Sequence, residues 1–356
     1  MAPDTTNPPK RRMLAEWEPQ QACLLAWPHR DSDWRDTFSA IERCYLQLAQ
    51  AIRARQRLIV LARDHAHRRR ILTDLAATAA AQYPADVIIA PHDDTWIRDY
   101  GPLAITCNGA LRLLDFGFNA WGGKYPHHRD AQACARLLQA AFADMPAESH
   151  LDWVLEGGAI DCNGAGAAMI VTGTLLDAAR NPRRTRRALT AKLRASLGLT
   201  HLHWLPLAPL LGDDTGGHID TLARFIDADT IAYQGCDDPT HPNHARLQQL
   251  QTQLTTLRNA HGAPYALLKL PDPPQLRAHD APLPASYANF LFINGSVLLP
   301  AYDCPQDITA QRLLANALPE RRIVPLDTRP LIRQYGGIHC AAMHIPAAPQ
   351  PGAPTP

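Results

Sequence analysis

Four short turn signals constrain this chain more than any other feature, because each separates two alternating apolar runs. They are PLAITC-NG-ALRLLDF, GGAIDC-NG-AGAAMIV, IDTLARFI-DAD-TIAYQ and YANFLFI-NG-SVLLPAY, with turns near residues 108, 163, 228 and 294, at intervals of 55, 65 and 66 residues. Between these hairpins lie strand-like runs (CLLAW, RLIVLA, DVIIAP, LHWLPL, RRIVPL) and helical stretches such as DTFSAIERCYLQLAQAIRA and DITAQRLLANAL. This is the pattern of a mixed α/β protein. Regular units of this length fit a pseudo-repeat of hairpin, helix and strand about an axis, and a fifth unit with an irregular hairpin fits between residues 14 and 100. An ordinary mixed sheet with several hairpins has the same spacing, and the period alone does not choose between them.

With 356 residues the chain can form one large domain or two, but no flexible linker divides it. The expectation is a single catalytic domain over 13–346. Residues 1–12 and 347–356 are rich in proline and poor in large apolar side chains, so both are expected to be disordered. The 35 Lys and Arg residues against 34 Asp and Glu give a net charge of +1, which provides no global field for nucleic acid or an acidic membrane. No run of 18 apolar residues and no apolar leader is present, so a cytoplasmic protein is expected. Eight scattered cysteines without a C-x-x-C pair suggest neither a zinc ribbon nor a disulfide framework.

Four Gly-Gly pairs adjoin polar or reactive residues: Trp121-Gly-Gly-Lys124, Glu156-Gly-Gly, Gly216-Gly-His218-Ile-Asp220 and Gly336-Gly-Ile-His-Cys340. Such pairs suit the rim of a site that a ligand approaches closely. A further polar cluster, His92-Asp-Asp94-Thr-Trp96-Ile-Arg98-Asp99, follows the strand DVIIAP. A free thiol is mostly protonated near neutrality, so Cys340 needs a partner to act as a nucleophile. If Cys340 lies on a strand, His339 points to the opposite face, and His218 is the better partner, with Asp220 two residues on along the same strand face. Carboxylates converging in a low-dielectric pocket repel one another unless a cation arrives, so Asp99, Glu156 and Asp220 imply a cationic ligand with several donors. A guanidinium group meets that requirement.

The segments EWEPQQACLLAWP, DDTWIRDYGP, FGFNAWGGKY, LEGGAIDCNG, DDTGGHIDTLARF, NGSVLLP and GGIHC occur in that order. Together they resemble the agmatine deiminases and related bacterial-type peptidyl-arginine deiminases of the guanidino-group-modifying superfamily, over nearly all of residues 14–346. The resemblance implies a pentein-like, five-bladed propeller of ββαβ modules. It also implies Cys340 as nucleophile, His218 as general acid and base, and Asp99, Glu156 and Asp220 as the acids that hold the guanidinium. Trp96, Trp121 and Asp214 match substrate-pocket positions, and the reaction implied is hydrolysis of agmatine to N-carbamoylputrescine and ammonia through a covalent thiouronium, without metal or cofactor. The chain departs from the common pattern at Gly216, where many relatives carry an acid, and at YGGIHC, where many have three glycines and an asparagine; both bear on selectivity.

Peptidyl-arginine or another guanidine is the alternative substrate, and three other readings have sequence support. Gly-His218-Ile-Asp220 superficially resembles the D-x-H-x-D motif of metal-dependent guanidine hydrolases, but Gly216 stands where the first aspartate is needed. An amidino transferase would share the covalent intermediate. The basic stretch from Arg180 to Arg187 could serve nucleic acid, but no aromatic platform is interleaved with it, and a solvated helix face is the simpler expectation. A small cationic guanidine is therefore the expected partner, with no nucleic acid or membrane, and with a homodimer left open.

Overall fold

The structure, a computed structural model, describes residues 10–78, 81–278 and 280–349. Its strands form five principal sheets and one small ribbon, Arg277–Ala278 with Ala281–Pro282. Four of the sheets repeat one topology: an antiparallel hairpin, a helix, and a strand returning parallel to the second hairpin strand. In the first, Leu103–Cys107 and Ala110–Gly117 are followed by the helix Asp130–Ala141 and the strand Ala147–Val154. The second is Ile160–Cys162, Ala167–Val171, helix Arg186–Leu197 and strand His201–Leu205. The third is Ala223–Phe225, Thr230–Gln234, helix His244–Thr256 and strand Ala266–Leu270. The fourth is Leu291–Ile293, Ser296–Ala301, helix Pro305–Ala317 and strand Arg322–Asp327.

The fifth sheet corrects the expectation of a hairpin within residues 14–100. Gln20–Ala26 leads through the helix Phe38–Arg53 to the parallel strand Arg57–Ala62, but its antiparallel partner is Ala342–Pro346 from the other end of the chain. The strand Ala85–Ile89 completes this sheet. Pairing the chain ends in one sheet closes the unit that carries Cys340, so this site residue is positioned by contacts between segments more than 300 residues apart. The expected N-terminal boundary also moves. Arg11–Met13 is a strand paired with Leu103–Cys107, and Arg11 and Arg12 are bound by Glu148 and Glu18. Residues 1–9 and 350–356 lie outside the described residues.

Local sequence accounts for these elements. The helix Phe38–Arg53 buries Phe38, Ile41, Cys44, Tyr45, Leu48, Ala49 and Ile52, the three- and four-residue spacing of one helical face. The strand Arg57–Ala62, paired on both sides, is apolar and buried almost throughout, as a central parallel strand must be. Asn108-Gly109 has positive φ at both residues, 51° and 82°, which lets a two-residue connection follow the twist of its strands. The helix Arg186–Leu197 is capped by Thr185, whose hydroxyl accepts from Ala188 N–H, and ends at the left-handed Gly198.

The buried apolar residues fall into three clusters, and buried ion pairs tie the units to one another. Glu16 is the hub: its carboxylate takes Arg98 Nη2 at 3.0 Å, Arg224 Nη2 at 3.1 Å, His339 Nε2 at 2.8 Å and the Phe292 N–H at 2.9 Å. Arg224 also binds Asp161 and donates to Phe290 O. Among the described residues, no helix is long and apolar enough to cross a membrane.

Candidate active site

Each of the five units places a polar residue in the turn that precedes its first hairpin strand. Asp99 lies in the turn Ile97–Tyr100, Glu156 caps the turn Gly157–Ala159, and His218 caps the turn Ile219–Thr221 that also contains Asp220. Asn289 precedes Leu291–Ile293, and Cys340 lies in the turn Ile338–Ala341 just before Ala342. Two expectations are corrected here, because neither Cys340 nor the His218–Asp220 pair is on a strand. A single helical turn and a 3-10 turn carry them, so strand parity does not govern which side chains can meet.

Gly158 marks where these side chains converge. A Cβ at this position would stand 2.5 Å from His218 Nδ1, 2.9 Å from Asp99 Oδ1 and 3.1 Å from Asp220 Oδ2. Only glycine leaves room for an imidazole and two carboxylates around one backbone. Gly158 also donates its N–H to Asp99 Oδ1 at 2.9 Å. Cys340 Sγ lies 3.6 Å from Asp220 Oδ2 and receives Asn289 Nδ2–H at 3.3 Å. His218 Nδ1 and Asp220 Oδ1 are buried and have no hydrogen-bond partner among the described residues.

Glu156 does not take the place expected of it. Its two oxygens accept Arg180 Nε–H at 2.8 and 3.0 Å, and His218 Nε2 lies 2.8 Å from Oε2. It therefore stands behind the imidazole, and Asp99 and Asp220 are left as the acids beside the thiol. Arg180 corrects another expectation: it is buried and also bound to Asp177, with no part on a solvated face, whereas Arg184 and Lys192 farther along meet Asp152 at the surface.

These contacts set the protonation states. Burial alone would push the His218 imidazole down, but Asp99 and the hydrogen bond and charge of Glu156 raise it to about 9. Burial raises the Cys340 thiol well above its ordinary value, and Asp220 and Asp99 add to this. Asp99 is raised by burial against the pull of His218. Burial would also raise Asp220, but His339 and His218 hold it below the usual carboxylate range. The resting site thus pairs a protonated imidazole with a neutral thiol, and an arriving cation would favour the thiolate.

Above this group lies a pocket lined by Asp33, Asp94, Trp96, Asp99, Trp121, Tyr125, Asp214, Thr215, Gln334, Tyr335, Gly336 and Cys340. Trp96, Trp121 and Asp214, expected there from the sequence, are all in its wall. Trp96 lies so close to Gly336 that a Cβ there would fall 2.2 Å from the indole ring. Trp121 occupies a run of four left-handed residues, Ala120 to Gly123, and donates Nε1–H to Asp99 Oδ2 at 3.0 Å. Asp214 is held by Lys124 at 3.0 Å and by Tyr125 Oη at 2.5 Å. The lining contains four aspartates and no lysine or arginine. Asp33 is exposed and marks the mouth, and Asp94, farther in, is raised to about 6 chiefly by burial.

Asn289, Arg180, Asp33 and Asp94 were not singled out as site residues from the sequence. Asp94 stands in the quoted polar cluster and Arg180 in the basic stretch, but a lone asparagine between apolar residues carries no such signal. Among the described residues, the group of donors spaced to hold a metal ion is Cys236, His241 and Asp272, none of which lines this pocket. There, His241 Nδ1 already accepts the Asn243 N–H at 3.1 Å.

The family model of the Porphyromonas-type peptidyl-arginine deiminases matches residues 12–346. An agmatine deiminase of Stutzerimonas stutzeri is 33% identical over 360 residues, covering 94% of this chain and 95% of that protein. A solved cysteine-to-serine variant of the C. jejuni agmatine deiminase with substrate bound has a TM-score of 0.89 at 31% identity, covering 98% of this chain and all of that one. The agmatine deiminase of Enterococcus faecalis, at 24% identity and a TM-score of 0.88 over 98% of this chain and all of that one, shares the fold.

Proposed function

The chain belongs to the Porphyromonas-type peptidyl-arginine deiminase family, and from that premise and its pocket we propose that it hydrolyses agmatine to N-carbamoylputrescine and ammonia. The observation that carries this reading is the pocket lining: four aspartates and no lysine or arginine, with the Cys340 thiol at the inner end. A ligand cationic at both ends satisfies such a lining, while an α-carboxylate would meet like charge at Asp33 and Asp94, the Lys124 cation being already paired with Asp214. A peptidyl arginine would set neutral amides against Asp33 and Asp94, so the peptide reading is the weaker one.

In the proposed reaction the guanidinium lies between Asp99 and Asp220, and its charge favours loss of the Cys340 thiol proton to solvent, which leaves the thiolate. The sulfur attacks the guanidinium carbon and forms a C–S bond. His218, protonated at rest, gives its proton to the departing nitrogen as the C–N bond breaks, and ammonia leaves. His218 then takes a proton from the water that attacks the thiouronium; the C–S bond breaks, releasing the ureido product and the thiol. Glu156, itself clamped by Arg180, orients the imidazole through Nε2 and keeps it basic enough for both transfers. Trp96 and Trp121 form the walls along the alkyl chain. No metal enters these steps.

In the same reading the five sheets stand as blades about a common axis, which would account for equivalent turns all contributing to one site. All eight cysteines are free, consistent with a reducing cytoplasmic compartment, where the product would feed putrescine synthesis. The test is to incubate the protein with agmatine, free arginine and a peptide with an internal arginine, and to identify products by mass. The expected result is a ureido product and ammonia from agmatine, with little or none from the other two. Faster turnover of the peptide, or urea from any of the three, would overturn the proposal.

A further inference from the structure

His339, set aside in the sequence because it adjoins Cys340, makes two of the shortest buried polar contacts near the site. Its Nδ1 lies 2.7 Å from Asp220 Oδ2 and its Nε2 lies 2.8 Å from Glu16 Oε2, with the ring 2% exposed. Both ring nitrogens therefore face carboxylate oxygens. A neutral imidazole has one N–H and one lone pair, and a lone pair directed at a buried carboxylate is repelled. We propose that His339 is a positioning residue: held as a doubly donating imidazolium between Glu16 and Asp220, it keeps Asp220 ionised and turned so that its second oxygen faces the guanidinium site.

The surroundings support each part of this. Glu16 is bound by Arg98 and Arg224 as well as His339, so it stays a carboxylate and does not supply the missing proton itself. His344 also approaches Glu16, at 3.5 Å, but burial holds its imidazole low, to about 3, so it is neutral. The groups facing Asp220 are His339, His218, Asp99, Cys340 and, from the next layer, Arg224. With Oδ2 taken by His339, Oδ1 is the oxygen left without a partner. Asp99 is held less closely: its neighbours are the Gly158 N–H, Trp121 and the protonated His218 ring, whose nitrogen stands 3.6 Å away. The two acids thus differ in kind. Asp220 is a permanent anion backed by a buried cation, and Asp99 is the one that responds to what enters.

The backbone makes His339 available for this task. Ile338–Ala341 is a helical turn, in which adjacent side chains diverge by about 100°, so His339 reaches inward beneath Asp220 while Cys340 points to the pocket. Its N–H is held by Asn289 Oδ1 at 3.0 Å and its carbonyl by Arg98 Nε at 3.1 Å, so this turn is fixed from two other units.

The inference rests on the deiminase reading for its consequence but not for its first test, which needs no substrate. Ring 15N spectra of histidine-labelled protein should contain a doubly protonated, solvent-protected ring that disappears in His339→Gln. If that variant does not fold, Glu16→Gln should convert the same ring to a neutral tautomer. A neutral His339 in the wild-type protein would overturn the proposal. The second test measures agmatine binding to Cys340→Ala across acidic pH, with and without His339→Gln. Binding should weaken at least about tenfold at the acidic end, with its acid limb moved upward by about one pH unit or more, because Asp220 loses a charge-assisted donor. Reduced thermal stability with an unmoved acid limb would mark His339 as structural only and sink the idea. Failure of any guanidine to bind either protein would instead count against the substrate assignment, and the spectra would still decide the state of His339.

Discussion

Replacing Gly158 with alanine adds one methyl group at the point where the proposed reacting groups meet. The backbone at Gly158 is outside the left-handed region, so alanine brings no conformational strain and the effect is steric alone. The new Cβ would sit 2.5 Å from His218 Nδ1, where ordinary contact begins near 3.4 Å, so imidazole and backbone must separate by roughly 0.9 Å. His218 cannot swing aside freely, because its other nitrogen is tied to Glu156, which Arg180 clamps. Asp99 and Asp220 close off two other directions at 2.9 and 3.1 Å. A displacement of about 1 Å in a positioned catalytic group costs on the order of 100-fold in rate, or about 2.7 kcal/mol of transition-state stabilisation. Overpacking should lower stability by about 1–3 kcal/mol, which a protein of this size tolerates. The assay is ammonia release from agmatine at saturating and limiting concentrations, with unfolding followed by calorimetry. Gly173→Ala is the control, since a Cβ there meets nothing within 4 Å, and it should retain full activity. A folded Gly158→Ala protein with near wild-type kcat/KM would refute the convergence of these side chains on one backbone position.

Other consequences follow from the same geometry. Arg180→Met removes one of the two cations on buried Glu156, leaving His218, and should lower stability by about 1–3 kcal/mol together with a loss of kcat; a neutral effect on both would show that the clamp is incidental. His218, with a folded value of about 9 against an ordinary value of 6.5, favours the folded state fully below about pH 6.5, and this stabilisation is lost as pH rises through 9. Urea unfolding of the wild type should therefore show stability declining between those limits by on the order of 3 kcal/mol, and His218→Asn should flatten that decline. Asp33→Asn and Asp94→Asn should raise KM for agmatine with little change in kcat and narrow its advantage over arginine; unchanged discrimination would remove these acids from the outer subsite. Activity should survive EDTA and be lost to iodoacetamide, with agmatine protecting Cys340, and restoration of a chelated, inactive protein by manganese would argue for metal chemistry.

Much of the site was legible because its residues stand beside glycine pairs just ahead of the hairpins, and the turn signals of those hairpins are strong. What escaped did so for physical reasons. Glu16, Arg98 and Arg224 pair across the chain, and a buried charge cannot be told from a surface one until its partner is found. Glu156 was assigned to the substrate because a carboxylate beside two glycines is equally suited to a guanidinium ligand or to an arginine side chain, and only the position of Arg180 decides between them. A strand rule excludes His339, but residues 338–341 form a helical turn, to which that rule does not apply. The fifth unit hid its hairpin because the two strands come from opposite ends of the sequence. Yet the repeat itself contained the missing signal. Asp99, Glu156, His218 and Cys340 all occupy the turn before the first hairpin strand, so the same position in the remaining unit, Tyr287-Ala-Asn289 before Leu291–Ile293, had to face the same centre. Asn289 is there, with its amide on the Cys340 sulfur at 3.3 Å and its side-chain oxygen on the His339 N–H. A periodic fold makes position within the unit as informative as residue type, and an uncharged side chain with no motif of its own becomes a site candidate once its four counterparts are aligned.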